Sequence, residues 1–144
     1  MTPETIKAFH DMEIGISAEH SAVVSADIIT AYAQLSGDHN PIHEDAEYAA
    51  NTRFGHPVAH GMLVAGYVQT ALTKLVAPGG VSTSYQFDLL APAFEGAAIT
   101  AHAVCAQLDP VAHRAMFAIT VVDDTTRKQL ISGSAVVAFP KGEK

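Results

Sequence analysis

The sequence predicts an α+β fold in which an antiparallel sheet curls around one long central helix. The stretch from Met62 to Val76 is apolar on most of its helical circumference and contains no Asp or Glu, which is typical of a helix wrapped by other structure. The remainder of the chain consists of β-branched and aromatic segments separated by Gly, Pro and Asp, the pattern of a strand meander. One helix packed on a sheet buries the apolar faces of both.

The elements before the central helix are predicted to be short. A weak signal indicates a strand over 17–24, and Ser25 is a suitable N-cap for a helix over 26–36 that ends at Gly37. Acidic residues crowd the start of 44–50, which favours one or two helical turns there. Residues 1–15 are expected to be a loosely ordered lead-in to a single domain over 1–144.

Four strands are predicted after the central helix, which Gly61 opens. They cover 81–90, 97–108, 113–123 and 129–139, punctuated or interrupted by Pro92, Gly96, Asp109-Pro110, Asp123-Asp124 and Gly133. One helix cannot cover this many strands, and a bare sheet edge invites pairing with another chain. We therefore expect a homodimer with an extended sheet.

Composition narrows the classes of function. The 144 residues carry a formal charge of −7, with eight Lys and Arg against fifteen Asp and Glu. This balance argues against a nucleic-acid partner, which needs a basic surface. One cysteine, Cys105, cannot form an intrachain disulfide and is expected to be a small core residue. No signal-like or membrane-spanning apolar run is present, so we expect a cytoplasmic protein with no membrane partner.

The segment from Asp38 to His43 carries the strongest chemical signal. It holds a carboxylate, an amide at Asn40 and an imidazole within six residues, between Gly37 and Pro41. Gly37 permits a backbone conformation that a side chain would resist, and Pro41 fixes φ, so we expect a rigid, irregular loop. A carboxylate and an imidazole that hold one water between them can perform general acid–base catalysis.

A second segment lies about twenty residues later, at 54–62. Its sequence is Phe-Gly-His-Pro-Val-Ala-His-Gly-Met, and it leads into the long apolar helix. The first N–H groups of a helix have no intrahelical partner and can stabilise an oxyanion. Gly61, which has no side chain to obstruct a ligand, is predicted to supply such an N–H.

These two segments resemble those of the MaoC-like dehydratases, which include the (R)-specific enoyl-CoA hydratases. The resemblance rests on Ser36 to His43 and on Ala59 to Met62, and it covers about residues 15–140. It implies a dimeric hotdog fold that acts on acyl-CoA thioesters, with Asp38 and His43 as the catalytic pair. It also implies that the Gly61 N–H binds the thioester carbonyl oxygen, and that hydration of a trans-2-enoyl-CoA gives an R product.

The sequence leaves alternative roles open for the site residues. Asp38 and Asn40 could cap a short helix or close a turn, and Asn40 is better suited to fixing the loop than to reacting. His60 is expected to support the site structurally. Gln69 stands where some members of the family carry a serine, and it too is treated as a supporting residue.

The histidines of these segments also raise the question of a metal site. His39 with His43, and His56 with His60, have spacings that superficially resemble zinc ligands. A proline inside each pair, Pro41 or Pro57, disfavours the helix that such a pair needs, so no metal and no cofactor is expected. The alternatives to a CoA hydratase are a non-catalytic acyl-thioester-binding protein and a dehydratase acting on an acyl-carrier-protein thioester.

The sequence leaves the contacts to the nucleotide of coenzyme A undecided. Five basic residues are candidates for meeting its phosphates: Arg53, Lys74, Arg114, Arg127 and Lys128. We expect the pantetheine arm to run along the subunit boundary.

Overall fold

The computed structural model describes residues 5–141, which form one five-stranded antiparallel sheet with a long helix against one face. The strands are β1 (Ser17–Val23), β2 (Val81–Leu89), β3 (Ala98–Asp109), β4 (Arg114–Asp123) and β5 (Gln129–Ala138). A 3₁₀ turn at Phe9–Asp11 precedes the helices α1 (Ala26–Ser36), α2 (Pro41–Glu44), α3 (Ala46–Ala50) and α4 (Gly61–Val76). The predicted α+β arrangement is confirmed.

The sheet has the strand order β1-β3-β4-β5-β2, so β1 and β2 are its edges. Strand β4 lies at its centre and buries every second residue, from Ala115 through Phe117 and Ile119 to Val121. This alternation follows from the two-residue period of a strand, which places successive side chains on opposite faces. Cys105 on β3 is buried in the same core, and this burial raises the pKa of its thiol.

Helix α4 packs on the sheet through one face only. Its buried residues are Val64, Ala65, Val68, Ala71, Leu72 and Val76. On the opposite side Met62 is 59% exposed and Gln69 is also exposed. The sheet of one chain therefore covers one side of the central helix and leaves the other side open. Within the described residues, no helix is long and apolar enough to cross a membrane.

Gly133 does not interrupt a strand but lies in the middle of β5. It is paired with Phe87 on β2 and with Ile119 on β4. A Cβ atom at this position would lie 1.8 Å from the main-chain oxygen of Gln86. Glycine is therefore required by the close approach of β2, a use of glycine that a sequence pattern does not separate from a strand break.

The N-terminal segment is attached to the sheet from residue 5 onward. The Lys7 N–H donates to the Pro78 carbonyl at 2.6 Å, and the Gly15 N–H donates to the Cys105 carbonyl at 2.8 Å. Met12 is buried in the core. Of the lead-in predicted over 1–15, residues 1–4 lie outside the described residues, and the rest is anchored by these contacts.

Helix α1 has the bounds that its sequence predicted. The Ser25 side chain accepts the Ile28 N–H at 3.2 Å, and Gly37 ends the helix with a φ of 83°. Ile29 and Ala33 form the buried face of the helix. The helix and its Gly37 C-cap therefore set the position of Asp38, which follows directly.

Candidate active site

Asn40 and Pro41 start a short helix rather than an irregular loop. The Asn40 side-chain oxygen accepts the Ile42 N–H at 3.2 Å, and Pro41 occupies the first helical position. Proline is well tolerated there because that residue's N–H would have no intrahelical partner. The predicted loop is thus wrong for His43, which lies on helix α2. The capping role considered for Asn40 matches its observed contact.

Asp38 lies between α1 and α2 and closes a tight turn. Its Oδ1 atom accepts the Asn40 N–H at 3.1 Å, while its own N–H donates to Ser36 Oγ at 3.2 Å. The residue is exposed, and no donor among residues 5–141 reaches Oδ2. One carboxylate oxygen therefore holds the turn, and the other is available to a ligand or water.

The His43 ring is held by the second segment. Its Nδ1 lies 2.7 Å from the Val58 carbonyl oxygen. Because a carbonyl can only accept, Nδ1 carries the proton and the Nε2 of the neutral ring is a free acceptor. The Val58 N–H donates to the Ile42 carbonyl at 3.1 Å, so the two segments are tied in both directions.

His60 lies beneath both members of the pair. It is 3% exposed, and its Nε2–H donates to the main-chain oxygen of Asp38 at 3.0 Å. Its ring stacks on that of His43 with centroids 3.8 Å apart, and the Tyr32 ring lies 4.8 Å away. Its Nδ1 is buried without a hydrogen-bond partner among the described residues. These contacts are those of a supporting residue.

Gly61 is the first residue of α4, as predicted. No acceptor within residues 5–141 takes its N–H. A Cβ atom here would lie 2.7 Å from Cδ1 of Leu89, so glycine allows the Leu89 side chain to pack closely against the start of the helix. The N–H is therefore free to donate to a bound oxygen.

One cavity of about 240 Å³ brings the predicted residues together. Its lining residues are Tyr32, Ser36, Asp38, His43, His60, Gly61, Met62 and Leu89. Tyr32, Ser36, Met62 and Leu89 were not predicted as site residues. Leu89 comes from the end of β2, and no local sequence signal could have identified it. Met62 lies inside the second predicted segment, and Tyr32 and Ser36 lie on helix α1 just before the first, but none of the three carried a chemical signal of its own.

Gln69 lies elsewhere in the single chain. It lines a different cavity, of about 280 Å³, with Val76 and Tyr85. Eight residues separate it from Gly61, about 12 Å along a helix at a rise of 1.5 Å per residue. The structure therefore does not bring Gln69 to the Asp38 cavity.

Asp38, His43 and His60 also form a possible ligand set for a metal ion. Each offers one potential ligand atom, and these atoms lie within 4.8 Å of one another. The set contains one histidine from each H-x₃-H pair. The other members lie apart: His39 Nδ1 is 2.8 Å from Glu44 Oε1, and His56 packs edge-on against Phe94.

The sequence matches the family model described as a MaoC like domain over residues 10–127. The chain belongs to this family. Its 34% identity with the 3-hydroxybutyryl-CoA dehydratase of Methylorubrum extorquens covers 100% of the chain and 92% of that protein. It is also 34% identical to the (R)-specific enoyl-CoA hydratase of Rhodospirillum rubrum, over 92% of the chain and 91% of the relative.

The structural comparison agrees with this MaoC-like assignment. The (R)-hydratase from A. caviae involved in PHA biosynthesis superposes with a TM-score of 0.86 at 30% identity. The match covers 90% of this chain and 98% of that one. The fold is therefore the hotdog fold expected from the resemblance.

Proposed function

We propose that this MaoC-like protein catalyses the reversible hydration of a trans-2-enoyl-CoA to a 3-hydroxyacyl-CoA. The observation that carries the proposal is the cavity in which Asp38, His43 and the N-terminus of α4 meet. Relatives named for enoyl-CoA hydration and 3-hydroxybutyryl-CoA dehydration support it. The R configuration of the product is taken from the relatives named (R)-specific.

The pair would activate one water molecule. The Oδ2 atom of Asp38 takes a proton from the water as the water oxygen bonds to Cβ of the enoyl group. The free Nε2 of His43 accepts a hydrogen bond from the same water, which orients it, and relays a proton. The proton that Oδ2 took passes to Nε2 of His43 and from there to Cα, so that H and OH are added across the double bond and both side chains regain their starting states. Such groups typically contribute about 10²–10⁴-fold each.

The α4 N-terminus would stabilise the charge that develops during this step. As the oxygen attacks Cβ, the electron pair of the double bond moves toward the thioester carbonyl. The unpartnered Gly61 N–H donates to that carbonyl oxygen, and the positive end of the helix dipole lies at the same place. The three requirements of the reaction, a base, an acid and an oxyanion donor, are then met by one cavity.

The test of the activity is a substrate screen. We expect loss of the conjugated-thioester absorbance when the protein is added to crotonyl-CoA or to longer enoyl-CoA homologues. Chiral analysis of the 3-hydroxy product should give the R form. Demonstrable ligand binding without turnover at any chain length would overturn the enzyme assignment in favour of a non-catalytic binding protein.

We also propose a homodimer in which the sheet continues past β2. This edge strand exposes Val81 by 65% and Leu89 by 57%, and the outer face of α4 is open in the same chain. A second copy would cover both. The solution mass at micromolar concentration should be that of two chains, whereas a monodisperse monomer would contradict the dimer. The proposed setting is the cytoplasm, since Cys105 is the one cysteine of the sequence.

A further inference from the structure

Basic residues are scarce in this chain, and most lie away from the site cavity. No Lys or Arg among residues 5–141 forms an ion pair with a carboxylate side chain. The Lys74 ammonium donates to the carbonyl oxygen of Glu19 on β1. Arg127 lines a cavity with two carboxylates, and Arg114 lies opposite Asp109 where β3 joins β4. These three cations have surroundings that do not favour an anionic ligand of the active site.

Arg53 and Lys128 differ because they line one groove of about 380 Å³. Both are exposed. The Asp123 carboxylate also lines the groove, but its Oδ1 already accepts the N–H groups of Thr125 and Thr126 at 2.9 and 3.0 Å. The groove therefore brings two unpaired cations together beside one carboxylate that is engaged in a turn.

This groove adjoins a second cavity that reaches Gly61. The second cavity has a volume of about 260 Å³ and a mainly apolar lining. The two share the lining residues Arg53, Phe54, Ala91 and Pro92. The guanidinium carbon of Arg53 lies 4.7 Å from the centroid of the Phe54 ring, a contact that holds the cation at the junction. The two adjoining cavities together span the surface from Gly61, the predicted oxyanion donor, to the two cations, and define a candidate route for a ligand.

We propose that this route binds the coenzyme A arm of the substrate, with pantetheine in the apolar cavity and the nucleotide phosphates at Arg53 and Lys128. The inference rests on the proposed function and assigns its thioester carrier. Coenzyme A ends in a 3′-phosphorylated ADP, whose charge needs local cations on a chain of net charge −7. The guanidinium of Arg53 can bind a phosphate through two parallel hydrogen bonds. Phe94, 37% exposed, lines the groove and offers apolar surface to adenine.

The test compares two thioesters with the same acyl group, crotonyl-CoA and crotonyl-pantetheine, which lacks the nucleotide. Arg53→Gln and Lys128→Gln should each raise the KM for crotonyl-CoA relative to that for crotonyl-pantetheine by about fivefold to tenfold, the range for a charge-assisted contact at the surface. The matched control Arg114→Gln should leave this ratio at the wild-type value. An unchanged ratio in both groove variants, or an equal rise in the control, would overturn the proposal.

A binding measurement separates this inference from the activity. Adenosine 3′,5′-bisphosphate should bind the wild-type protein in calorimetry, compete with crotonyl-CoA, and bind measurably more weakly to the Arg53→Gln/Lys128→Gln double variant. Binding should also weaken as salt rises, since exposed charges are screened. If the protein hydrates neither thioester, the proposed function fails, yet this titration still tests the groove. Absence of nucleotide binding, or equal binding by the double variant, would overturn the groove assignment itself.

Discussion

Residues 37–61 and strands β3 to β5 are held in place by different forces. In the first region, side chains form hydrogen bonds with main-chain groups of other residues. The side chain of Asn40 bonds to Ile42, that of His43 to Val58, and that of His60 to Asp38. In the second, main-chain ladders and a continuous apolar core provide the order. The proposed catalytic residues therefore also hold their own backbone, whereas the alternating buried residues of β4 contribute to the core.

This contrast predicts two kinds of variant. Substitutions in 37–61 that keep the local hydrogen bonds should lower activity with little change in the free energy of unfolding. Substitutions in the sheet should lower that free energy and leave the chemistry of the folded protein largely intact. Variants in one region that change both the activity and the free energy of unfolding would show that the two regions are energetically coupled.

The largest effects are expected from Asp38→Asn and His43→Gln. Each should lower kcat by about 10²–10⁴-fold, with little change in KM, because proton transfer is lost while the substrate contacts remain. The amide oxygen that replaces the carboxylate at position 38 can still accept the Asn40 N–H, so the thermal midpoint should stay near the wild-type value. The measurement is steady-state kinetics with crotonyl-CoA on each variant and on their combination.

The double variant tests whether Asp38 and His43 act together. If both groups act on one water in one transition state, the double variant should be barely slower than either single variant. If the fold-losses in kcat of the two single variants multiply in the double variant, the two residues act in separate steps. Near-full kcat in both single variants, measured on a folded dimer, would show that the site assignment is wrong.

The next largest effect is expected at the α4 N-terminus. Gly61→Pro removes the proposed oxyanion donor and should lower kcat by about 10²–10³-fold, by analogy with other oxyanion holes. Proline suits the first helical position, and His60 already has the extended backbone, φ −58° and ψ 132°, that a following proline requires.

Gly61→Ala is the matched control for this substitution. It keeps the N–H and adds the same Cβ, which would approach Leu89 Cδ1 to 2.7 Å and must displace that flexible side chain. The ratio of kcat between the alanine and proline variants then reports the N–H alone. Equal losses in the two variants would assign the effect to crowding at Leu89 and remove Gly61 from the oxyanion role.

A smaller effect, on stability, is expected in the sheet. Gly133→Ala places a methyl group against the Gln86 carbonyl, where an ideal Cβ would lie at 1.8 Å. We expect the free energy of unfolding to fall by about 1–3 kcal/mol, the usual cost of overpacking. Urea unfolding measures it, with Ser132→Ala on the same strand as a control that should change it by less than about 0.5 kcal/mol. An unchanged midpoint in Gly133→Ala would contradict the close packing of β2 on β5.

The same division explains what the sequence could predict. The β-branched and aromatic segments between Gly, Pro and Asp, the Ser25 cap and the Gly37 stop are local signals, and the elements they predict are confirmed. The grouping of Asp38, His43 and Gly61 followed from the family resemblance, and the structure brings them to one cavity.

Features that depend on contacts between distant parts of the chain could not be predicted from the sequence. Leu89 reaches the cavity from β2, and Gly133 is fixed by a carbonyl nearly fifty residues away. The loop expected around Pro41 was wrong because proline also opens helices, and only the Asn40 cap decides between the two. Gln69 was assigned to the site because some members of the family carry a serine there, and its place eight residues after Gly61 puts it in another cavity of the single chain.

The smallest expected effect tests whether Asn40 supports the chemistry or only the fold. Asn40 caps the helix that carries His43, and Asp45 caps the next one by accepting the Tyr48 N–H at 3.0 Å. Alanine at either position should lower the free energy of unfolding by about 1 kcal/mol, the typical value of an N-cap. The two variants are therefore matched in stability but differ in what the capped helix holds.

Activity then separates the two caps. Asn40→Ala removes the side-chain cap at the start of α2 but keeps the main-chain N–H that Asp38 accepts. His43 should therefore become less well positioned relative to Asp38, and kcat should fall about tenfold or more, since small misplacements of reacting groups are costly. Asp45→Ala should leave kcat within about twofold of wild type, because α3 contributes no residue to the lining of the cavity. Asn40→Asp, which retains a capping oxygen, should recover the unfolding free energy and a large part of kcat. Equal activity in the two alanine variants would mean that the His43–Val58 and His60–Asp38 hydrogen bonds position the pair without help from the Asn40 cap.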